Sequence, residues 1–176
     1  MEIRALRPDD DRSAFHSGEE PLDRYFRSYA GQNQFRHHVG VTYVAVEDGR
    51  VLGFATISPG QIDIEGLPVP VRKGLPRYPL PILRLARLAV DESARSQGIG
   101  TQLLRFVFHL AAKMADDYGC VGVAVDAKPG AVEFYERYGF VPHDPLEGGS
   151  EGRPRATWMF LAMRAILAAS DASGPQ

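Results

Sequence analysis

A glycine-containing turn with one arginine is the part of the chain whose residues most clearly indicate chemistry. It stands between an apolar strand pattern and a long amphipathic helix pattern, and its residues are Arg95, Ser96, Gln97, Gly98, Ile99, Gly100 and Thr101. Glycines let a backbone approach a ligand closely, and the first N–H groups of a helix lack partners inside it. Such groups donate to phosphate oxygens, and Arg95 adds a fixed positive charge. The sequence therefore predicts a phosphate-binding turn.

The spacing of the glycines excludes two common phosphate loops at this turn. A dinucleotide-binding fingerprint needs G-x-G-x-x-G, and a P-loop needs G-x-x-x-x-G-K-[ST]. Neither pattern is present here, and what remains is R-x-x-G-x-G.

A second feature is a run of basic side chains without an acidic neighbour, from residue 67 to residue 90. A solvated rim and a surface for a polyanion both account for such a run, while the formal net charge of −2 gives no overall attraction for nucleic acid. The candidate substrate-binding residues are Arg72, Lys73, Arg77, Arg84 and Arg87. Further candidates for phosphate contacts are Arg24, Arg27 and Arg36.

The elements that must position these residues follow from hydrophobic periodicity. Strands are expected at 3–6, 41–46, 51–57, 82–90, 120–125 and 156–163. Pro8 with 9–11 supplies a turn and a helix-start signal, and a helical region follows with its apolar spacing at 22–29. Further helices are expected at 101–118 and 131–138. The prolines of 59–81 predict an extended excursion over the surface, and 144–155 predicts a mobile loop. This order predicts an α/β (α+β) fold with a mixed sheet flanked by helices.

Length and composition narrow the class of protein. The 176 residues, 44% of them apolar, fit one compact domain, expected at 1–168 with a flexible tail at 169–176. The single cysteine, Cys120, excludes an internal disulfide framework and is expected to be buried. Without an apolar stretch of ~20 residues or a secretory signal, the chain is expected to be cytoplasmic and off the membrane. His37 and His38 are expected to point to opposite sides of a strand, so no metal site is predicted.

The turn and its surroundings resemble the GNAT superfamily of acetyl-CoA-dependent N-acetyltransferases. The matching pieces are Leu88-Ala89-Val90 before R-x-x-G-x-G and residues 134–140, F-Y-E-R-Y-G-F, after it. The resemblance covers nearly the whole chain and implies a mixed, mostly antiparallel central sheet. It also implies acetyl-CoA as the cofactor, with the pantetheine arm on the backbone of Leu88, Ala89 and Val90. The pyrophosphate would lie on the turn from Arg95 to Thr101, and Tyr135 would protonate the departing thiolate.

A closer likeness is to the toxin subgroup of GNAT proteins, which acetylate the amino acid carried on charged tRNA. Four pieces match it, at 15–22, 42–46, 87–91 and 125–127, the last followed by the Phe134-Tyr135 pair. This likeness implies aminoacyl-tRNA as the acceptor and a small DNA-binding antitoxin of the ribbon-helix-helix type as a partner. It leaves open whether the chain forms a homodimer.

No general base is evident in the sequence, and the chemistry of the acceptor accounts for this. An α-amine with a pKa of about 7.7 is roughly one-sixth neutral at pH 7, whereas a lysine amine with a pKa of about 10.4 is neutral well under one part in a thousand. An α-amino acceptor therefore needs less help, and an N–H of Ala89 or Val90 is the expected oxyanion donor. Two other functions stay open: acetylation of a small metabolite or a protein N-terminus, and a non-catalytic module that keeps coenzyme A as a ligand.

Overall fold

The computed structural model of the protein describes residues 1–143 and 156–172. The strands of this part are β1 (Glu2–Ala5), β2 (Val41–Glu47), β3 (Arg50–Ile62), β4 (Leu80–Val90), β5 (Gly122–Ala127), β6 (Val141–Pro142) and β7 (Thr157–Ala162). The α-helices are α1 (Glu20–Ser28), α2 (Ile99–Asp117), α3 (Val132–Glu136) and α4 (Met163–Ala172). The strands form a sheet in the order β1-β2-β3-β4-β5-β7-β6. The pairs β1/β2, β2/β3, β5/β7 and β6/β7 are antiparallel, which confirms the predicted fold class.

Residues 1–58 and 85–109 form one compact unit of the chain. Its core is built around Phe54 of β3, against which Phe26 of α1 stacks with ring centroids 4.4 Å apart, while Phe15 meets both rings edge to face. Phe26 is fully buried and Tyr25 nearly so, as the spacing predicted for α1 requires, whereas Tyr29 at the end of that spacing is 42% exposed. Burial of such aromatic side chains is the main stabilising term for this helix.

The helix start expected at 9–11 is wrong, because α1 begins at Glu20. The turn expected at the same place is confirmed, and carboxylates of this segment stabilise it and the turn that follows. Asp10 accepts the N–H of Arg7 and pairs with Arg4, and Asp11 accepts both the N–H and the hydroxyl of Ser13. Aspartate side chains that take nearby N–H groups favour turns over helices.

The strands expected at 41–46 and 51–57 are confirmed as β2 and β3, which form an antiparallel hairpin with Val46 opposite Val51 and Glu47 opposite Arg50. Its two turn residues, Asp48 and Gly49, have φ of 50° and 76°. Two successive positive φ values match the right-handed twist of the flanking strands.

Residues 59–84 and 110–172 belong to a second compact unit. The excursion expected at 59–81 does not run simply over the surface. β3 continues through Pro59 to Ile62, short 3-10 helices follow at Ile64–Gly66 and Val69–Val71, and Leu67 is fully buried in a cluster with Phe160 of β7. Prolines prevent a long regular element here, yet the apolar residues between them still enter a core.

Two boundaries in this unit differ from expectation. β5 begins at Gly122 rather than 120, and a Cβ at Gly122 would stand 2.3 Å from the carbonyl oxygen of Leu161, so the strand pair requires glycine there. The tail expected at 169–176 is also wrong in part, because 169–172 continue α4, a helix that hydrophobic periodicity did not indicate. Buried Ile166 anchors this helix, and Ser170 donates its hydroxyl to the carbonyl of Ile166.

The remaining predicted elements agree with the structure. α2 buries Leu103, Leu104, Val107 and Ala111 completely, and Gly119, with φ of 100°, follows its end. Cys120 is buried as expected.

The histidine pair is not in a strand, contrary to expectation. Residues 32–37, which include His37, form a short π-helical segment, and His38 after it is left-handed.

The loop expected at 144–155 and the last residues, 173–176, lie outside the described residues. Within the described ones, none of the helices combines the length and apolar character needed to span a membrane.

Candidate active site

The predicted phosphate turn is an open, left-handed backbone corner at the start of α2. Ser96 and Gly98 have φ of 63° and 77°, and Gln102 donates its N–H to the carbonyl of Gly98 as α2 begins. Left-handed residues in such a turn make concave backbones that bind anions, and a helix N-terminus adds positive potential. No atom lies within 4 Å of the position that a Cβ at Gly98 would take. The turn therefore fits a diphosphate, since its donor groups and its open side are both present.

Arg95 contributes to this turn in a second way that the sequence did not indicate. Its Nη2 donates to the carbonyl of Ser17 at 2.5 Å and lies 3.5 Å from a carboxylate oxygen of Glu92. More than half of the side chain remains exposed. Arg95 thus keeps a positive charge beside the turn while it joins the turn to the segment that leads into α1.

Asp91 organises the connection between β4 and the turn. Its buried carboxylate accepts the N–H of Ser93, the hydroxyl of Ser93, the N–H of His16 and a guanidinium N–H of Arg50, at 2.6–3.2 Å. Burial alone would raise the pKa of this carboxyl, but the hydrogen bonds from Ser93 and His16 and the charge of Arg50 outweigh it, so the pKa is lowered. The ionised carboxylate therefore holds three separate segments together.

Asp23, at the start of α1, is a second buried carboxylate that holds segments of the chain together. It is 0% exposed and accepts the N–H and the hydroxyl of Ser17 at 2.9 and 2.6 Å, and its other oxygen lies 3.1 Å from Nδ1 of His16. Burial opposes ionisation, yet the hydrogen bonds from Ser17 and His16 prevail, and the pKa of Asp23 is lowered. Residues 16 and 17 are thereby fixed between two buried carboxylates, one on each side.

The end of β4 packs closely on β3 and α2. A Cβ at Gly53 of β3 would stand 3.0 Å from the carbonyl oxygen of Ala89 and from side-chain carbons of Ile99 and Leu103. Glycine at this position allows the strand that carries Leu88, Ala89 and Val90 to approach the beginning of α2. The structure thus brings the two sets of predicted cofactor-binding residues in this unit together.

Tyr135 lies on α3 in the second unit. It is 5% exposed, and its ring packs edge to face against Phe134 and Phe140 at 5.1 and 5.3 Å between centroids. Burial raises the pKa of its phenol well above the usual value of 10. The hydroxyl therefore stays protonated at neutral pH, which is the state a proton donor needs.

The five basic candidates for substrate binding differ in how far their charges are engaged. Arg72 donates to the carbonyls of Leu67 and Glu65, Arg84 lies 3.6 Å from Asp126, and Arg87 stacks its guanidinium 3.6 Å above the ring of Tyr25. Lys73 and Arg77 are exposed. The last two residues are thus the best placed of the five to bind a polyanion from solvent.

Sequence reasoning missed the roles of Asp91 and Asp23. Asp-x-Ser directly after an apolar strand is a turn signal and could have indicated Asp91. Asp23 has no such signal, because its partners precede it by six and seven residues in an irregular segment. Residues 1–143 and 156–172 contain no group of three His, Cys, Asp or Glu side chains placed to hold a metal ion.

The fold, with a glycine-containing turn between the end of a strand and the start of a long helix, is that of an acyltransferase of the GNAT type. The sequence profile of the acetyltransferase (GNAT) domain matches residues 38–142. The chain belongs to this family and is an acetyl-CoA-dependent N-acetyltransferase.

Known relatives place it in the toxin subgroup of the family. A tRNA-acetylating toxin of Mycobacterium tuberculosis is 36% identical over 148 residues, which cover 81% of this chain and 87% of that protein. The structure of AtaT complexed with acetyl-methionyl-tRNAfMet has a TM-score of 0.80 at 25% identity and covers 96% of this chain and 98% of that chain. A mutant of AtaT bound to the C-terminus of the antitoxin AtaR and acetyl-CoA has a TM-score of 0.76 at 23% identity, with 96% and 97% covered.

Proposed function

We propose that this protein transfers the acetyl group of acetyl-CoA to the α-amine of aminoacyl-tRNA in a toxin-like role. The observation that carries the proposal is the likeness to the mycobacterial tRNA-acetylating toxin, at 36% identity over 81% of this chain. The likeness includes most of the chain, so it extends well beyond a shared cofactor-binding motif.

In this proposal the first unit of the chain binds the cofactor. Backbone donors of the turn 95–101 and the charge of Arg95 hold the diphosphate, and the end of β4 holds the arm that carries the thioester. Asp91 donates its N–H to Leu52 of β3, and the carbonyl of Ala89 lies against Gly53 of the same strand. Because N–H groups alternate in direction along a strand, Val90 directs its N–H away from β3. Val90 is therefore the better oxyanion donor of the two candidates.

Tyr135 acts in this proposal as the general acid. Acetyl-CoA supplies an activated acyl group, and its transfer to an amine leaves a thiolate that needs a proton. The phenol of Tyr135 donates that proton, or shares it in a hydrogen bond as charge develops. The support is its buried setting, which keeps the hydroxyl protonated, and its position in the F-Y pair that resembles the family's pattern.

The acceptor needs no strong base on the protein. The α-amine of an aminoacyl ester is neutral to a useful extent at pH 7, and the proton it loses on forming the amide passes to water. A lysine side chain would need a base to reach the same reactivity. This difference favours aminoacyl-tRNA over protein lysines.

The partners of the protein follow from the same role. AtaT binds its antitoxin AtaR through the antitoxin's C-terminus. We extend this to a small antitoxin of the ribbon-helix-helix type for the present chain. We further propose that the protein assembles as a homodimer and acts in the cytoplasm, where charged tRNA occurs.

The test is acetyl transfer from labelled acetyl-CoA with purified protein. The acceptors are charged tRNA, the same tRNA after deacylation, free amino acids and a peptide with a free N-terminus. The proposal predicts label on charged tRNA only, recovered as N-acetylaminoacyl ester. Transfer to the amino acids or the peptide alone would overturn it, and calorimetric binding of acetyl-CoA without turnover on any amine would indicate a non-catalytic module.

A further inference from the structure

A pocket beside the end of β4 has the chemistry of a nucleotide site. It has a volume of about 380 Å³ and is lined by Glu20, Pro21, Arg24, Tyr25, Tyr29 and Arg87. From these residues we infer that the pocket receives the 3′-terminal nucleotide of the acceptor RNA, a conclusion that rests on the proposed function.

The aromatic residues of the pocket divide into a buried and an exposed ring. Tyr25 belongs to the core, and its ring supports the guanidinium of Arg87 at 3.6 Å. Tyr29 is 42% exposed, so part of its ring is open to a ligand in the pocket. Bases of single-stranded nucleic acids stack on exposed aromatic rings of this kind. Tyr29 is therefore the stacking surface.

The charges of the pocket favour an anion over an amine. Arg87 retains its N–H donors while stacked, and Arg24 lies 6.0 Å from the ring of Tyr29 and 3.5 Å from its hydroxyl. Glu20 is the one carboxylate of the lining, and it lies 3.6 Å from Arg27. Two arginines attract the phosphate of a nucleotide, whereas they repel the ammonium of a peptide N-terminus.

The position of the pocket suits the end of the acceptor. Arg87 directly precedes the strand residues assigned to the pantetheine arm, and three residues of a strand span about 10 Å. An aminoacyl ester on the terminal ribose must bring its amine to the thioester, so the terminal nucleotide has to bind within a distance of this order. The pocket, which Arg87 lines, lies within this distance of the strand residues assigned to the pantetheine arm.

The experiment measures binding of two hairpin RNAs by fluorescence anisotropy in the presence of coenzyme A. One hairpin ends in a single-stranded CCA, and the other lacks the last nucleotide. For the wild type, loss of that nucleotide is expected to weaken binding about 5- to 150-fold, as for one stacked base. Tyr29→Leu should bind both hairpins alike, whereas Tyr29→Phe, which keeps the ring, should behave as the wild type.

Two further variants distinguish RNA binding in the pocket from a general electrostatic attraction between the helix and RNA. Arg24→Gln should raise the KM for charged tRNA and leave the KM for acetyl-CoA unchanged. Arg27→Gln removes the same charge from the same helix outside the lining and should have a smaller effect. A weaker affinity of Tyr29→Leu for acetyl-CoA would instead assign the pocket to the cofactor and overturn the inference.

The outcomes distinguish this inference from the function on which it rests. If the wild type acetylates charged tRNA but Tyr29→Leu still discriminates the two hairpins, only the pocket assignment is wrong. If the wild type acetylates no charged tRNA, the proposed function is wrong and the inference falls with it.

Discussion

Tyr135 is the side chain on which the proposed chemistry most depends. Tyr135→Phe keeps the ring and its contacts with Phe134 and Phe140, and it removes only the hydroxyl. We expect kcat to fall about 10²- to 10⁴-fold, the usual contribution of a positioned acid, with the calorimetric Kd for acetyl-CoA unchanged. An equal melting temperature serves as the control for folding. A variant with the kcat of the wild type would remove Tyr135 as the acid.

Individual site residues were predictable where local sequence defines their surroundings. The turn 95–101 shows its strand, its glycines and its helix within one short segment, and the structure places all of these as expected. The further bond from Arg95 to Ser17 was not predictable, because it joins residues 78 apart in the chain. The same holds for Arg87, whose stacking on Tyr25 depends on how α1 packs against β4.

The backbone conformation of the phosphate turn depends on one glycine with a left-handed conformation, Gly98. Gly98 and Gly49 have nearly the same φ, 77° and 76°, and at neither residue does an atom lie within 4 Å of the position that a Cβ would take. Alanine at either position should therefore lower the free energy of unfolding by a similar amount, about 1–2 kcal/mol. Only Gly98→Ala should also weaken acetyl-CoA binding, as measured by calorimetry. Equal affinity in both variants would contradict a role of this turn in holding the cofactor.

The segment between β1 and α1 depends on ionised Asp23. Its pKa is lowered in the folded state, so its stabilising effect is present above the unfolded pKa of about 3.9 and is lost as the pH falls through the lower, folded pKa. Asp23→Asn should lower the free energy of unfolding by about 1–3 kcal/mol at pH 7, and this difference from the wild type should shrink below pH 4.

Urea unfolding at pH 7 and pH 3 measures that change. Asp9→Asn, at an exposed carboxylate of the same segment, should leave stability unchanged at both pH values. A difference of the same size at pH 7 and pH 3 would show that the ionised state of Asp23 is not what matters.

At the scale of elements, periodicity predicted the strands and the long helix well, because their apolar spacing reflects burial directly. The helix-start signal at 9–11 was wrong, because the acidic residues there form turns. The helix α4 was missed, because its short apolar stretch is followed by small and polar residues. Sequence reasoning also took the prolines of 59–81 as evidence of a surface path. Leu67 and Val71 show that proline governs backbone hydrogen bonding and does not determine burial.

The whole molecule carries a net charge of −2, so its attraction for RNA must be local. Lys73 and Arg77 are exposed cations of the basic run. We expect Lys73→Ala and Arg77→Ala each to weaken tRNA binding for every charged tRNA alike. Each should also reduce the slope of log affinity against log salt by about one. Filter binding across a salt series measures this slope. Lys113→Ala, which removes a cation paired with Asp117 on α2, should leave it unchanged.

The hydrogen bond between Arg95 and the carbonyl of Ser17 has a thermodynamic consequence for the two substrates. It connects the turn proposed to bind the diphosphate to the segment that leads into α1, the helix lining the pocket inferred for RNA. A diphosphate bound by Arg95 would compete with that carbonyl, so we expect binding of one ligand to change the binding free energy of the other. Heterotropic coupling of this kind is reciprocal: whatever factor acetyl-CoA applies to RNA affinity, RNA must apply to acetyl-CoA.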